Sequence, residues 1–290
     1  YVIIEAVTAI NCYDEGITSL DGIETFKRLR YLDCSGNRLE TLDVSANTAL
    51  TELYCYDNQL TKLDISENTE LRELACYNNQ LTELDVSKSV ELIKLSCYQN
   101  QLSDLNVRNN AELAYLDCDD NQLNALDVSQ NTALTVLWCR NCGLTELDVS
   151  QNSELDGLVC ANNQLTELDL SSNTKLTYLE CYGNKLSRLD VSGNTNLCRL
   201  DCSDNGMTEL YLPGSSPETI LSRIAGYFSP ATYAEETADT ALEYLNCSRN
   251  YLTAVDTTTC PALETLICAD NDAELTVNVA DLSKVSLSTM

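Results

Sequence analysis

Apolar residues recur along this chain at unequal steps, and the set of steps repeats. Counted from Cys34 they fall at +5, +8, +10, +16 and +19, as Leu39, Leu42, Val44, Leu50 and Leu53, and Cys55 closes the unit at +21. Steps of 5, 3, 2, 6, 3 and 2 match neither a helical period nor a sustained alternation. Two fragments do alternate. Leu53-Tyr54-Cys55 predicts a short strand with Leu53 and Cys55 inward and Tyr54 and Tyr56 outward, and Leu42-Asp43-Val44 predicts a second extended piece on the other side of a coil. No segment is long enough for a stable helix, so each unit reads as a strand plus turns.

The unit is copied. Cys34, Cys55, Cys76, Cys97, Cys118, Cys139, Cys160, Cys181 and Cys202 lie 21 residues apart without a slip. A fixed period in this range means stacked structural repeats, which grow by adding rungs along one axis. Cysteines at one equivalent position point inward in a file and act as small buried hydrophobes. The single C-x-x-C, Cys139 to Cys142, is then a product of the repeat and not a zinc pair.

Two polar positions repeat as strictly. Asn37, Asn58, Asn79, Asn100, Asn121, Asn163, Asn184, Asn205, Asn250 and Asn271 stand three residues after the cysteine, with Cys142 as the substitution inside the array. A turn directed into a core leaves backbone groups without water, and an Asn amide carries two donors and an acceptor. The position predicts a ladder bonding the turns of its own and adjacent rungs, with the Cys142 thiol standing in it. Nine residues after the cysteine come Asp43, Asp64, Asp85, Asp127, Asp148, Asp169 and Asp190, with Asn106 as the exception. They open a D-V-S-x-N-T loop whose Asp, Ser and Asn bond their own nearby backbone. Like charges one rung apart repel, so the file is held by such bonds or by cations, and the bonds are favoured.

The chain divides by how well it keeps this beat. Residues 1–33 form an irregular N-terminal capping repeat, with Ile10-Asn11-Cys12 as a rung and a short helical turn within Asp21 to Leu29. Residues 34–212 are the regular array. Residues 213–239 are an insertion in which Ser216-Pro217 starts a short helix carrying Ile220, Leu221, Ile224 and Phe228 on one side. Residues 240–290 resume with Cys247 and Cys268 and close with a final strand that sets Leu287 in the cysteine place. The chain starts at Tyr1 and reads as a fragment, with any export signal or anchor out of view.

The frame Leu50-x-x-Leu53-x-Cys55-x-x-Asn58-x-Leu60 resembles the leucine-rich repeat signature and recurs over nearly the whole chain. The short unit with L-D-V-S-x-N-T on its far side is similar to bacterial leucine-rich repeats of surface proteins, and Ile17-Thr18-Ser19-Leu20-Asp21-Gly22-Ile23 is similar to internalin-type entries. The resemblance implies a mostly β solenoid of α/β type. It would be a right-handed superhelix with a parallel sheet on its concave face and few or no helices. It also implies extracellular or cell-surface binding or adhesion. The chain departs from the signature in carrying Cys where Leu is usual.

Composition narrows the chemistry. With 45 Asp and Glu against 17 Lys and Arg the net charge is −28, which repels a phosphate backbone and makes nucleic acid an unlikely partner. The acidity keeps a long surface soluble, and its sharper reading is attraction of basic partners or divalent cations. No apolar run is long enough to insert in a membrane. There is no His and no glycine-rich phosphate loop, so the usual catalytic constellations are missing; neither an enzyme nor a cofactor is expected. Asp117, Asp119 and Asp120 form a weak candidate calcium site.

The outward strand positions carry more. One and three residues before the cysteine and one after it stand Tyr13, Tyr31, Tyr54, Tyr56, Tyr77, Tyr98, Tyr115, Trp138, Tyr178, Tyr182 and Tyr244. The chain has 15 Tyr and only 2 Phe, so these rings are not core filling. Exposed Tyr and Trp are what interfaces use, although Tyr also has strand propensity of its own. Glu52 and Glu73 lie among them. The partner-binding set is therefore Tyr54, Tyr56, Tyr77, Tyr98, Tyr115, Trp138, Tyr178, Tyr182, Glu52 and Glu73. The reading is a monomeric, non-catalytic binding module for a protein, of a host or extracellular matrix among the candidates, with a glycan as the alternative.

Overall fold

The computed structural model describes residues 6–215, 240–279 and 283–288. The helix expected between Glu218 and Tyr227 and the opening run Val2-Ile3-Ile4 lie outside them. The chain forms two compact units, Tyr1–Glu154 and Leu155–Met290. Each is a parallel β-solenoid built from short strands and turns. A short 3-10 turn, Ile23–Thr25, lies between the first two strands.

In the first unit the strands are β1 (Ala9–Asn11), β2 (Tyr31–Asp33), β3 (Glu52–Tyr54), β4 (Glu73–Ala75), β5 (Lys94–Ser96), β6 (Tyr115–Asp117) and β7 (Val136–Trp138). They pair in parallel in chain order, and the register sets Leu32, Leu53, Leu74, Leu95, Leu116 and Leu137 side by side. The period is identical to the register, so each inward Leu meets the same Leu of the next rung. All six are at most 1% exposed. Each such side chain contributes roughly 1.5–3 kcal/mol of burial.

The second unit holds β8 (Gly157–Val159), β9 (Tyr178–Glu180), β10 (Arg188–Asp190), β11 (Arg199–Asp201), β12 (Glu209–Tyr211), β13 (Tyr244–Asn246), β14 (Ala254–Thr257), β15 (Thr265–Ile267), β16 (Thr276–Val279) and β17 (Ser286–Ser288). Strands β8, β9, β11, β13, β15 and β17 pair in parallel. The extended pieces on the far side also pair, β10 with β12 and β14 with β16, and in the first unit as a bridge between Asp43 and Asp64. One register expectation is corrected. Leu287 pairs with Leu266, the leucine place, and not with Cys268, and it is 46% exposed. The last segment carries no repeat residues to fix its register from sequence, and the ladder sets it.

The turns explain the polar positions. The residue two after the cysteine has a left-handed backbone throughout: Asp57, Asn78, Asp120, Asn141, Asn162 and Asp204 among others, with Gly at positions 36 and 183. Asp, Asn and Gly tolerate this conformation, which costs other residues about 1–2 kcal/mol. The turn then points the next residue inward. Asn58 donates through Nδ2 to the carbonyls of Cys34 (3.0 Å), Cys55 (3.2 Å) and Tyr56 (3.2 Å), and its Oδ1 accepts the Leu39 amide at 2.9 Å. Asn79, Asn100 and Asn121 repeat this in the first unit, and Asn184 in the second. Asn37 bonds Cys12 and Cys34, and Asn205 bonds Cys181 and Cys202. Asn163 bonds its own turn at Cys160 and Ala161. Cys142 gives its thiol to the Cys118 carbonyl at 3.2 Å, and on the preceding rung a left-handed Asn124 donates its amide to the Cys142 carbonyl at 3.0 Å.

A second buried ladder lies on the other side. The Asn of the D-V-S-x-N-T loop does not serve only its own loop. Asn68 reaches back to the carbonyls of Val44 (3.1 Å) and Asn47 (2.9 Å), and Asn110 and Asn131 do the same for their preceding rungs. These side chains are fully buried, so no water can serve the preceding turn. The exposed aspartates beside them are held by backbone bonds. Asp43 accepts the Ser45 amide and hydroxyl, Asp64 and Asp85 accept the amides of Ser66 and Ser87, and Asn106 keeps the same bond to Arg108. Ser129, and after it Arg108, holds the Asp127 carboxyl down at about 2. Burial pushes Cys76 and Cys160 up to about 12, which keeps them unreactive thiols.

Gln99 occupies the left-handed position with φ 51° and, like Arg249, lacks the tolerance of the Asp, Asn and Gly that stand there in other rungs. Gln99→Asn is expected to raise the unfolding free energy by roughly 0.5–1 kcal/mol, and Gln99→Val to lower it, as read by urea denaturation.

Candidate functional site

The strands and their following turns present three outward columns. In the first unit the column three before the cysteine runs Tyr31, Glu52, Glu73, Lys94, Tyr115, Val136; the middle column runs Asp33, Tyr54, Ala75, Ser96, Asp117, Trp138; and the column after the cysteine runs Ser35, Tyr56, Tyr77, Tyr98, Asp119, Arg140. The core is constant, so the columns are where rungs differ.

Parallel register at one-rung spacing brings Tyr56, Tyr77 and Tyr98 together. Their rings stack with centroids 4.3 and 4.2 Å apart and planes within 10°. Tyr13 tilts onto Tyr56 at 6.5 Å. In the other columns Tyr31 meets Tyr54 at 5.6 Å, and Tyr115 meets Trp138 edge-on at 5.7 Å. The Tyr54 hydroxyl donates to Glu73 at 2.8 Å and to Glu52 at 3.2 Å. Burial raises the Tyr77 and Tyr54 phenols, and Tyr115 reaches about 12, so all three stay neutral donors near pH 7. Tyr13 and Trp138 are the most open of these rings, at 49% and 37% exposure.

Tyr178 and Tyr182 stand in the second unit, where the rings are differently engaged. The Tyr178 hydroxyl donates to Glu180, and the Arg199 guanidinium lies 5.9 Å from the Tyr178 ring and 4.1 Å from that of Tyr244. Arg188 covers Tyr211 at 4.7 Å. Arginine–ring contacts of this kind are worth about 0.5–1 kcal/mol at exposed sites.

Sequence comparison places this geometry. The repeat signature described as Leucine Rich repeats (2 copies) matches residues 48–89. The functional domain of InlJ from Listeria monocytogenes, described as including a cysteine ladder, is 29% identical, with a TM-score of 0.60 over 97% of this chain and 70% of that one. The chain folds as a leucine-rich repeat solenoid and is similar to the Listeria internalins. Its fold is shared with the Listeria monocytogenes internalin InlF (21% identity, TM-score 0.64, 98% of this chain and 87% of that one). It is shared also with the plant peptide hormone receptor RGFR1 in complex with RGF2 (18%, 0.66, 92% and 49%). No curated protein matches the chain significantly. Leucine-rich repeat proteins are in general interaction modules. No helix among the described residues is long and apolar enough to cross a membrane.

The three aspartates in this leucine-rich repeat protein do not converge as a metal site would need. Asp117 is 4% exposed and its Oδ1 accepts the Asp119 amide at 3.2 Å. Asp119 accepts the Arg140 amide, and Asp120 accepts the Asn141 side chain at 2.9 Å. Among the described residues no three Cys, Asp or Glu side chains group around a common point. Sequence reasoning named the acids but not the burial. Burial first, then the charge of Asp119, pushes the Asp117 carboxyl up to about 7.

A carboxyl raised in the folded state stabilises below its unfolded range and loses that contribution as pH rises through its folded value. Asp117→Asn keeps the acceptor for Asp119 and has nothing to ionise. Its melting temperature is expected to equal that of the parent near pH 4 and to exceed it at pH 8, with the difference opening between them.

Proposed function

We propose that the chain is a non-catalytic binding module, secreted or held at the cell surface, that takes a protein partner on the tyrosine-rich, acidic sheet face of its first unit. The observation that carries this reading is the stack of Tyr56, Tyr77 and Tyr98 on a face whose core side already closes over leucine and cysteine. Nothing in the repeat requires rings there, since Ser35 and Asp119 hold the same position in neighbouring rungs. Rigid tyrosines with an apolar body and a polar tip are favoured interface anchors. Trp138, Tyr115, Glu52 and Glu73 extend the face. A glycan is the weaker reading. Sugars pack on ring faces, and the faces between these three rings are taken by each other at 4.2–4.3 Å.

An array of extracellular proteins and glycans probed with the chain tests this. The combined variant Tyr56→Ala, Tyr77→Ala, Tyr98→Ala and Trp138→Ala is expected to lose binding to protein spots by at least about a hundredfold, about 2.7 kcal/mol. Unchanged binding at every positive spot would contradict the reading, and loss confined to glycan spots would favour the carbohydrate alternative.

A further inference from the structure

We infer that a slot in the tyrosine face of the first unit receives one arginine side chain of the protein partner, an inference that rests on that face being the binding surface. The middle column sets two small residues, Ala75 and Ser96, between Tyr54 on one side and Asp117 and Trp138 on the other. Where larger side chains stand in neighbouring rungs, these two leave a depression of about 200 Å³. Ala75 and Ser96 form its floor and are 8% and 7% exposed. Tyr56 and Tyr77 border it on one side, Glu73 and Lys94 on the other, and Tyr54 closes one end.

Size selects the class of occupant. Small-molecule pockets run to roughly 300–1,000 Å³, so this depression is suited to a single side chain inserted from a larger partner, as interface anchors are. Chemistry selects the side chain. Tyr54 donates to both Glu52 and Glu73 and so fixes the Glu73 carboxylate at the slot wall. Lys94, which also borders the slot, sets its ammonium over the Tyr115 ring, 5.3 Å from the centroid. The hydrogen-bonded anion at the slot wall is thus Glu73, on a chain of net charge −28. An apolar anchor would desolvate the carboxylate and bring it no new partner. Lysine would bring a strongly hydrated point charge. Arginine brings a flat, weakly hydrated plane that slides beside tyrosine and matches a carboxylate with two parallel bonds. The wider acidity draws a basic segment toward the face before it docks.

Random dodecapeptides displayed on phage, selected on the immobilised full chain and resynthesised for anisotropy titration, provide the test. Enriched peptides are expected to share an arginine whose exchange for lysine weakens binding about tenfold or more, which is 1.4 kcal/mol. Ala75→Trp, which fills the slot, and Glu73→Gln, which removes its charge, are each expected to cost a similar factor while the melting temperature stays near that of the parent. Large residues already stand in this column as Tyr54 and Trp138, and Ser96→Tyr is the second filling variant should Ala75→Trp fold poorly. The slot is overturned if no peptide is enriched over a blank surface, if the enriched peptides share no arginine, or if they bind the filled and charge-neutral variants as tightly as the parent. In that last case Tyr77→Ala separates the two ideas: weakened binding keeps the tyrosine face without the slot, and unchanged binding removes both.

Discussion

After every cysteine the backbone turns inward, and the carbonyls of Cys34 and Cys55 end where no water reaches. Asn58 answers both, together with the carbonyl of Tyr56 and the amide of Leu39. One side chain thus satisfies four main-chain groups on two rungs. A buried polar group left alone costs about 1–3 kcal/mol, so the stack depends on this residue more than on any one leucine. The second buried file, represented by Asn68 and Asn110, applies the donor half of this solution on the opposite side, with Nδ2 serving the preceding rung while Oδ1 accepts no bond. Hydrophobic burial drives the coil together, and these amides fix which rung sits on which.

That division of labour leaves the sheet's outer face free to vary. Leucine, cysteine and asparagine are committed inward, while the exposed aspartates are occupied by the serines of their own loops. What remains is three columns in which Tyr, Glu, Lys, Ala, Ser and Asp alternate without affecting the register. In the first unit these choices gather parallel rings beside a small slot bordered by Glu73 and Lys94. In the second they place Arg199 between Tyr178 and Tyr244, so that the rings there meet cations of their own chain.

Much of this was legible in the residue order. The 21-residue beat identified the inward leucines and the parallel register, because in a stack the period and the register are one quantity. Tyr56, Tyr77 and Tyr98 could be placed side by side for the same reason. Other features need coordinates. Asn68 looks like a loop residue until its carbonyl partners on the previous rung are seen. Leu287 could not be registered where repeat residues run out. The slot over Ala75 and Ser96 is made by missing side chains, which carry no motif and emerge only when rungs are laid beside one another. Asp117 reads as one acid among many, and its burial follows from a position between strands that a local window does not contain.

Tyr77 and Asn79 lie two residues apart on one turn and test the central claim directly. The account assigns Asn79 to the fold and Tyr77 to the surface. Urea unfolding of Tyr77→Ala and Asn79→Ala, followed by circular dichroism, compares them. Asn79→Ala strands the carbonyls of Cys55 and Cys76 and the amide of Leu60 and is expected to cost at least about 3 kcal/mol. Tyr77→Ala removes two half-buried ring contacts worth about 0.5–1.5 kcal/mol each and is expected to cost clearly less. Equal losses, or a larger loss at Tyr77, would contradict the account.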